Sequence, residues 1–167
     1  MDSNFARDFL PADLPRTLQV VYFSGIQNIL ISKVTYKGHP PMAAFYKIDR
    51  ENRLVMTTAY GTVTLADALA HQEKIRRDPD FDPSFSQLLD VTHVTKLEIT
   101  SENVRLLAQS SSFSQTSRRA LLVSNDAAYG LARMFEILRE SAGDTGIEVF
   151  RSLDEALEWV LTRRASA

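Results

Sequence analysis

The alternation of apolar and polar residues along the chain predicts a series of strands and helices between residues 44 and 161. Runs with a period of two, or of continuous apolar character, indicate strands, and apolar residues spaced three and four apart indicate helices. The predicted strands are residues 44–48, 54–60, 88–91, 120–123 and 147–150, and the predicted helices are residues 65–77, 101–111, 126–141 and 153–161. The order β-β-α-β-α-β-α-β-α predicts one α/β domain, with a mostly parallel sheet that carries an antiparallel hairpin at its N-terminal end.

Residues with known positional preferences set the predicted boundaries. Thr64, Thr100 and Ser152 each precede an apolar helical pattern, and their hydroxyl groups can accept a hydrogen bond from a free amide of the first turn. Gly61 is predicted to end the second strand. Within the serine-rich stretch 109–117 the second helix is predicted to fray into a loop, because serine competes with the helix for backbone hydrogen bonds.

The first 41 residues differ in composition from the rest of the chain. They hold four of the six prolines, and ordered patterning begins only after them, at Met42. We therefore expect a poorly ordered extension at 1–41, or a native start at Met42, followed by a domain at 42–162 and a tail at 163–167. Polar residues interrupt the apolar stretch 18–34, so the sequence predicts no membrane span, no export signal and a cytoplasmic location.

Composition excludes several functional classes. With 167 residues, a net charge of -2, no cysteine and three histidines, the chain cannot form disulfides or thiolate metal sites, and it lacks the basic excess of nucleic-acid-binding domains. The sequence contains no phosphate-binding glycine loop and no nucleophile elbow. We predict no catalytic residue, no metal site, no cofactor and no nucleic-acid partner. Arginine pairs at 76–77, 118–119 and 163–164 stand at the ends of predicted elements and are interpreted as solvated or helix-capping side chains.

Two polar residues follow the apolar run of the third strand, Asp90 and His93. In open parallel sheets, ligands gather beyond the carboxyl ends of strands, so this is a candidate site. One interpretation places Asp90 at the mouth of a pocket, with His93 as its partner. The other makes Asp90 an acceptor for loop amides and His93 an exposed loop side chain.

The start of the second helix offers two candidate phosphoacceptors, Thr100 and Ser101. A phosphate there would meet free amides and the positive end of the helix dipole. Helix capping alone also accounts for Thr100, in which case Ser101 is an ordinary residue of the first turn.

The third helix is the most distinctive stretch, and it contains a candidate interface or pocket formed by Tyr129, Gly130, Arg133 and Met134. A glycine within a helix costs about 1 kcal/mol relative to alanine, which suggests that another backbone or a ligand approaches Gly130 closely. The alternative is tight packing of the helix on the sheet, with Arg133 solvated and in reach of Glu136. The wide apolar face also leaves open a dimer interface or an apolar pocket.

The order of elements, the segment 88–94 followed by a helix headed by Thr100 and Ser101, and the segment 129–135 resemble the bacterial SpoIIAA-like group. These proteins have the STAS fold of anti-sigma factor antagonists and are also grouped with the CRAL-TRIO lipid-binding shape. The resemblance covers residues 42–161 and implies a non-enzymatic module, whose phosphorylatable serine faces a partner kinase. The family motif Asp-Ser-Ser-Gly is absent here, where residues 98–102 read Glu-Ile-Thr-Ser-Glu.

The sequence therefore favours a regulatory module that acts through protein-protein interaction, with a regulatory partner or with a second copy of itself. Thr100 and Ser101 would form the partner-facing helix start. The alternative is a carrier of a small apolar ligand or lipid, with a pocket near the third helix. An enzyme comes third, because no catalytic constellation is present in the sequence.

Overall fold

The structure, a computed structural model, describes residues 43–162. Its strands are β1 (Ala43–Asp49), β2 (Leu54–Thr64), β3 (Ser86–Glu98), β4 (Arg119–Leu122) and β5 (Ile147–Phe150), and its helices are α1 (Leu65–Arg76), α2 (Ser101–Gln109), α3 (Asp126–Ser141) and α4 (Leu153–Leu161). This order of elements confirms the predicted one. The predicted extension at 1–41, the start at Met42 and the tail at 163–167 lie outside the described residues.

The described strands form one sheet in the order β1-β2-β3-β4-β5. β1 runs antiparallel to β2, and every other neighbouring pair is parallel, which confirms the predicted fold class. The turn between β1 and β2 is closed by Asp49, whose carboxylate accepts hydrogen bonds from the backbone and side-chain amides of Asn52 at 2.9 and 2.8 Å. Such local bonding is a common property of Asp and Asn in tight turns.

β2 and β3 extend well past the predicted strands. The prediction that Gly61 ends β2 is wrong, because the strand continues to Thr64, and Gly61 takes a φ of 73° next to a shift in the pairing with β3. A second shift lies between Thr58 and Tyr60. Each shift adds one residue to β3, as in a β-bulge, and the pairing with β2 resumes after the extra residue. Residues 92–98 are therefore strand and not loop.

Three helices cover one face of the sheet, and α4 covers the other. Side chains of α1, α2 and α3 line a common cavity with Arg119. The preceding residue, Arg118, lies over the ring of Trp159 on α4 and donates to its backbone oxygen. Successive side chains of an extended segment point to opposite faces, so the two arginines mark the two layers. No helix in the described range is long and apolar enough to cross a membrane.

A buried apolar cluster joins the hairpin to α1 and to the loop before β3. Its centre is formed by Val55, Ile75 and Phe85, each less than 8% exposed. Burying a side chain of this size contributes about 1.5–3 kcal/mol. The partly buried residues that pack against this centre are Tyr46, Ile48, Phe81 and Phe113.

The helices begin at the predicted residues. The hydroxyl groups of Thr64, Thr100 and Ser152 each accept a hydrogen bond from the amide three positions later, and Asn125 caps α3 in the same way. The serine-rich stretch follows α2, which ends at Gln109, so the predicted loop is also confirmed. Local sequence therefore sets the start of every described helix.

Gly130 lies in open space in the middle of α3. A Cβ atom built on Gly130 meets no described atom within 4 Å, and the residue is exposed. The expected close approach of another backbone is therefore wrong within the described residues, and the alternative of a ligand at Gly130 stays a prediction. By contrast, a Cβ atom on Gly146 would lie 2.2 Å from the backbone oxygen of Ser117, so the glycine needed for a close approach is Gly146.

We expect Gly130→Ala to raise the free energy of unfolding by about 0.5–1 kcal/mol, because alanine restricts the unfolded chain and fits the helix without a clash. Urea unfolding of the wild type and the variant measures this difference. Gly146→Ala is the control and should destabilise, since its methyl group meets backbone. A loss of stability in Gly130→Ala would contradict the open environment described here.

Candidate functional site

A mostly apolar cavity of about 200 Å³ lies between the sheet and the inner faces of α1, α2 and α3. On α3, the lining positions are Ala128, Leu131, Ala132 and Phe135, whose spacing of three and four places them on one face of the helix. α1 contributes a similar stripe from Ala68 to Ile75. The cavity is thus bounded by the amphipathic faces that the sequence pattern predicts.

Small side chains create the space. Five alanines line the cavity where larger apolar residues would close it; they are Ala44, Ala59, Ala68, Ala128 and Ala132. A volume of about 200 Å³ exceeds the roughly 150 Å³ of an engineered cavity that binds benzene. It is below the roughly 300 Å³ at which pockets for drug-sized ligands begin. The cavity therefore suits a small apolar molecule.

Polar side chains interrupt the apolar lining at a few positions, which are Thr57, His71, Gln72, Gln87, Ser111, Ser112 and Arg119. Nε2 of His71 lies 3.2 Å from Oγ1 of Thr57, and the imidazole packs edge-on against Tyr46 with ring centroids 5.7 Å apart. Burial, and secondarily the charge of Lys74, lowers the pKa of His71 to about 4. His71 is therefore a neutral group of the cavity wall at physiological pH.

Arg119, at the start of β4, belongs to a buried cluster of three charged residues. Its side chain is 5% exposed, and that of Asp144, in the loop between α3 and β5, is 1% exposed. Arg119 donates from Nη2 to Oδ2 of Asp144 and from Nη1 to Oγ of Ser111, the latter at 3.1 Å. Arg139 of α3 holds both carboxylate oxygens of Asp144, at 2.9 and 3.0 Å. Its Nη1 also donates to the backbone oxygen of Ala108 at 2.7 Å.

Two guanidinium groups share one carboxylate in this cluster. Nε of Arg119 is buried and has no acceptor among the described residues. The guanidinium carbon lies 5.9 Å from the ring centroid of Phe135 and 6.0 Å from that of Phe113, and both rings line the cavity. Burial lowers the pKa of Arg119 to about 10, which leaves the side chain cationic at neutral pH. The cavity wall therefore contains a fixed, buried positive charge.

The sequence prediction for the pair at 118–119 was wrong for Arg119. We expected solvated or helix-capping side chains, whereas the guanidinium of Arg119 is buried against Asp144. An arginine pair at the end of an element is ordinarily solvated, and Asp144 follows 25 residues later in a polar loop. The only local signal is that Arg119 directly precedes the buried run 120–123 and so continues its alternation.

Asp90 lies on the face of the sheet opposite the cavity and is 2% exposed. Its carboxylate accepts from the amide of Thr92 at 2.8 Å and from the Thr92 hydroxyl at 2.6 Å, beside the first register shift of β3. One role of Asp90 is thus to bind an amide at a bulge. His93 is exposed, and it lies within β3, opposite Tyr60, where the sequence suggested a loop. Neither Asp90 nor His93 lines the cavity.

Thr100 and Ser101 are both exposed at the start of α2. Oγ1 of Thr100 accepts from the amide of Asn103 at 3.2 Å, and Oδ1 of Asn103 accepts from the amide of Thr100 at 3.1 Å. The Thr100 hydroxyl therefore acts as a helix cap. Ser101 lies next to it on the surface, and neither residue lines the cavity.

The four candidate residues of α3 lie away from the cavity, which is lined by the neighbouring face of the helix. The ring of Tyr129 lies under the guanidinium of Arg151, at 4.7 Å. Arg133 donates to Glu136 at 2.5 Å, as its spacing predicted. Met134 is half-buried and Gly130 exposed. As an interface, this surface stays a prediction.

No group of three His, Asp or Glu side chains in residues 43–162 is arranged to hold a metal ion. The polar groups that face the cavity are instead one neutral imidazole, hydroxyls, amides and the guanidinium of Arg119. Such a set can donate hydrogen bonds and hold a negative charge.

We expect His71 to make the domain less stable at mildly acid pH. Its pKa of about 4 in the folded state is below the ordinary histidine pKa of 6.5, so the unfolded chain binds the proton more tightly. The contribution of neutral His71 to the free energy of unfolding is complete above pH 6.5 and is lost as the pH falls toward 4. Between pH 7.5 and 5, urea unfolding should show a loss about 1–2 kcal/mol larger for the wild type than for His71→Gln. Equal losses would contradict a buried, neutral His71.

No protein-family model and no curated protein matches the chain. Among solved structures, the chain is similar to an anti-sigma factor antagonist from Mycobacterium paratuberculosis, with a TM-score of 0.51 and 14% identity over 72% of this chain and 94% of that one. It is also similar to an uncharacterised protein with a SpoIIAA-like fold from Shewanella loihica, with a TM-score of 0.47 and 15% identity over 71% and 93%. The described domain thus has the SpoIIAA-like fold of the STAS type, as the sequence resemblance implied.

Proposed function

We propose that the protein is a non-catalytic binding module that holds a small apolar ligand between its sheet and α1, α2 and α3. The observation that carries the proposal is the cavity of about 200 Å³, which is lined mainly by apolar side chains. Concave apolar sites with a few fixed polar groups are the usual form of small-molecule sites. This function corresponds to the carrier that the sequence left as an alternative.

The stability of the domain gives a physical reason to expect an occupant. An unfilled apolar cavity lowers stability by about 24 cal/mol per Å³, which for this volume is up to about 5 kcal/mol. Leucine at one or two of the five lining alanines would fill much of that space. A ligand that binds only the folded domain recovers part of the lost stability, by linkage.

The two lining alanines of α3 offer a direct test. We expect Ala132→Leu to fill part of the cavity and to abolish binding of octanol, a neutral apolar probe. In the wild type, the thermal unfolding midpoint should rise with octanol concentration, because the probe binds the folded state. In Ala132→Leu, the midpoint without octanol should be unchanged or higher, and octanol should no longer raise it.

Ala127→Leu is the matched control, since it makes the same change on an exposed position of α3. Its response to octanol should equal that of the wild type. If octanol leaves the wild-type midpoint unchanged, or raises the midpoint of Ala132→Leu equally, the cavity is not the binding site.

The exposed start of α2 supports a second function, in which the protein binds a regulatory partner through Ser101. The solved structure with a TM-score of 0.51 is an anti-sigma factor antagonist, a name that gives a protein, the anti-sigma factor, as its target. A phosphate on Ser101 would lie beside the free amides of the first turn.

For this second function, we expect Ser101→Glu to reduce the recovery of a partner that the wild type and Ser101→Ala co-purify from the native cells. The reason is that glutamate adds a negative charge at the contact surface. Ser110→Glu, with the same charge at the exposed far end of α2, should leave recovery unchanged. If Ser101→Glu retains every recovered partner, the start of α2 is not a switch.

A further inference from the structure

We infer that the ligand of the cavity is a small apolar monocarboxylate, whose carboxylate binds Arg119 and Gln87. This inference rests on the proposed function, because it requires that the cavity hold a ligand. It adds the chemical class of that ligand and the polar end of the site.

The buried cluster has more positive than negative charges. Arg119 and Arg139 are both cationic, and Asp144 supplies one negative charge, so the cluster carries a net charge of +1. Arg139 takes both oxygens of that carboxylate and a backbone oxygen as well. Arg119 therefore shares the single carboxylate of Asp144 with Arg139, and the excess positive charge of this buried cluster is energetically unfavourable. One anionic group next to Arg119 would neutralise the cluster.

The side chain of Arg119 lies at the wall of the cavity. Arg119 lines the cavity, and its charged group lies about 6 Å from two rings that also line it, Phe113 and Phe135. Nε of Arg119 has no acceptor among residues 43–162. Because the side chain is only 5% exposed, bulk water does not replace that acceptor. Arginine is well suited to carboxylates, since its planar group offers donors in a fixed geometry.

The guanidinium of Arg119 is already held in place by the protein. Asp144 accepts from Nη2 and Ser111 accepts from Nη1, while the rings of Phe113 and Phe135 lie about 6 Å from the guanidinium carbon. A ligand would not have to order or desolvate this side chain, and such preorganisation strengthens binding.

Gln87 supplies a second donor at the same end of the cavity. It is paired with Arg119 across β3 and β4, and both residues line the cavity. Neighbouring strands lie about 4.8 Å apart, so the two side chains are adjacent on one face. The Gln87 amide can donate two hydrogen bonds and carries no charge that would oppose an anion.

The charge balance favours a monocarboxylate over a phosphate monoester. A carboxylate carries one negative charge, which matches the net +1 of the cluster, whereas a phosphate monoester carries about 1.5–2 at neutral pH. The apolar lining of the remaining cavity then contacts the hydrocarbon part of the ligand.

Three probes that share one hydrocarbon chain test the inference by isothermal titration at pH 7.5: octanoate, octanol and octyl phosphate. The wild type should bind octanoate at least about tenfold more tightly than octanol, because a hydrogen-bonded charge pair is added. Octyl phosphate should bind more weakly than octanoate.

Arg119→Met should remove the preference for octanoate and leave octanol binding nearly unchanged. The variant is expected to fold, because Arg139 and Asp144 remain as a neutral buried pair and methionine adapts to irregular space. Gln87→Leu leaves the charged cluster intact and should weaken the binding of octanoate by a smaller factor than Arg119→Met does. Arg105→Met removes one exposed positive charge from α2 and should change neither affinity.

The outcomes separate this inference from the proposed function. If neither octanoate nor octanol binds the wild type, the proposed function fails, and the inference fails with it. If octanol binds as tightly as octanoate, the cavity is a ligand site but the carboxylate assignment is overturned. It is also overturned if octyl phosphate binds most tightly, or if Arg119→Met weakens octanoate and octanol equally.

Discussion

The buried cluster of Arg119, Asp144 and Arg139 is the interaction on which the rest of the structure depends. It joins the start of β4 to the loop between α3 and β5 and, through the backbone of Ala108, to the end of α2. Removing one partner of a buried ion pair typically costs about 3–5 kcal/mol, so these elements are held in one arrangement. The same arrangement holds a guanidinium at the wall of the cavity, which links the stability of the fold to its proposed function.

The cavity reflects a balance between packing and binding. The inner faces of α1 and α3 have the periodicity of ordinary core helices, but alanine occupies Ala68, Ala128 and Ala132, where leucine would fill the space. Among the polar groups at the wall, His71 is neutral. Nη1 and Nη2 of Arg119 already donate to protein acceptors. The site can therefore exist in the folded domain without a large number of unsatisfied buried groups.

Much of the fold could be predicted from the sequence, because its signals are local. Apolar periodicity gave the order of elements, and hydroxyl caps such as Thr64 and Thr100 gave the helix starts. The length of β3 could not be predicted, since residues 92–98 are mostly polar and belong to the sheet through pairing with β2, which is distant in sequence. The buried role of Arg119 depends on Asp144, which is distant in sequence, and an arginine pair ordinarily indicates solvent exposure. Local signals also singled out Ser101 as a candidate phosphoacceptor and Gly130 as part of a candidate interface. A surface that binds a partner leaves no periodic pattern in the sequence, so these two predictions could not be carried further.

The central claim is that a carboxylate ligand binds Arg119 inside the cavity. The most direct measurement is the NMR signal of the Arg119 Nε–H group, assigned by comparison with Arg119→Met, during titration with octanoate and then with octanol. A carboxylate that binds the guanidinium should shift this signal strongly, and octanol should shift it little. An Arg119 Nε–H signal that stays in place when octanoate saturates the protein would contradict the account.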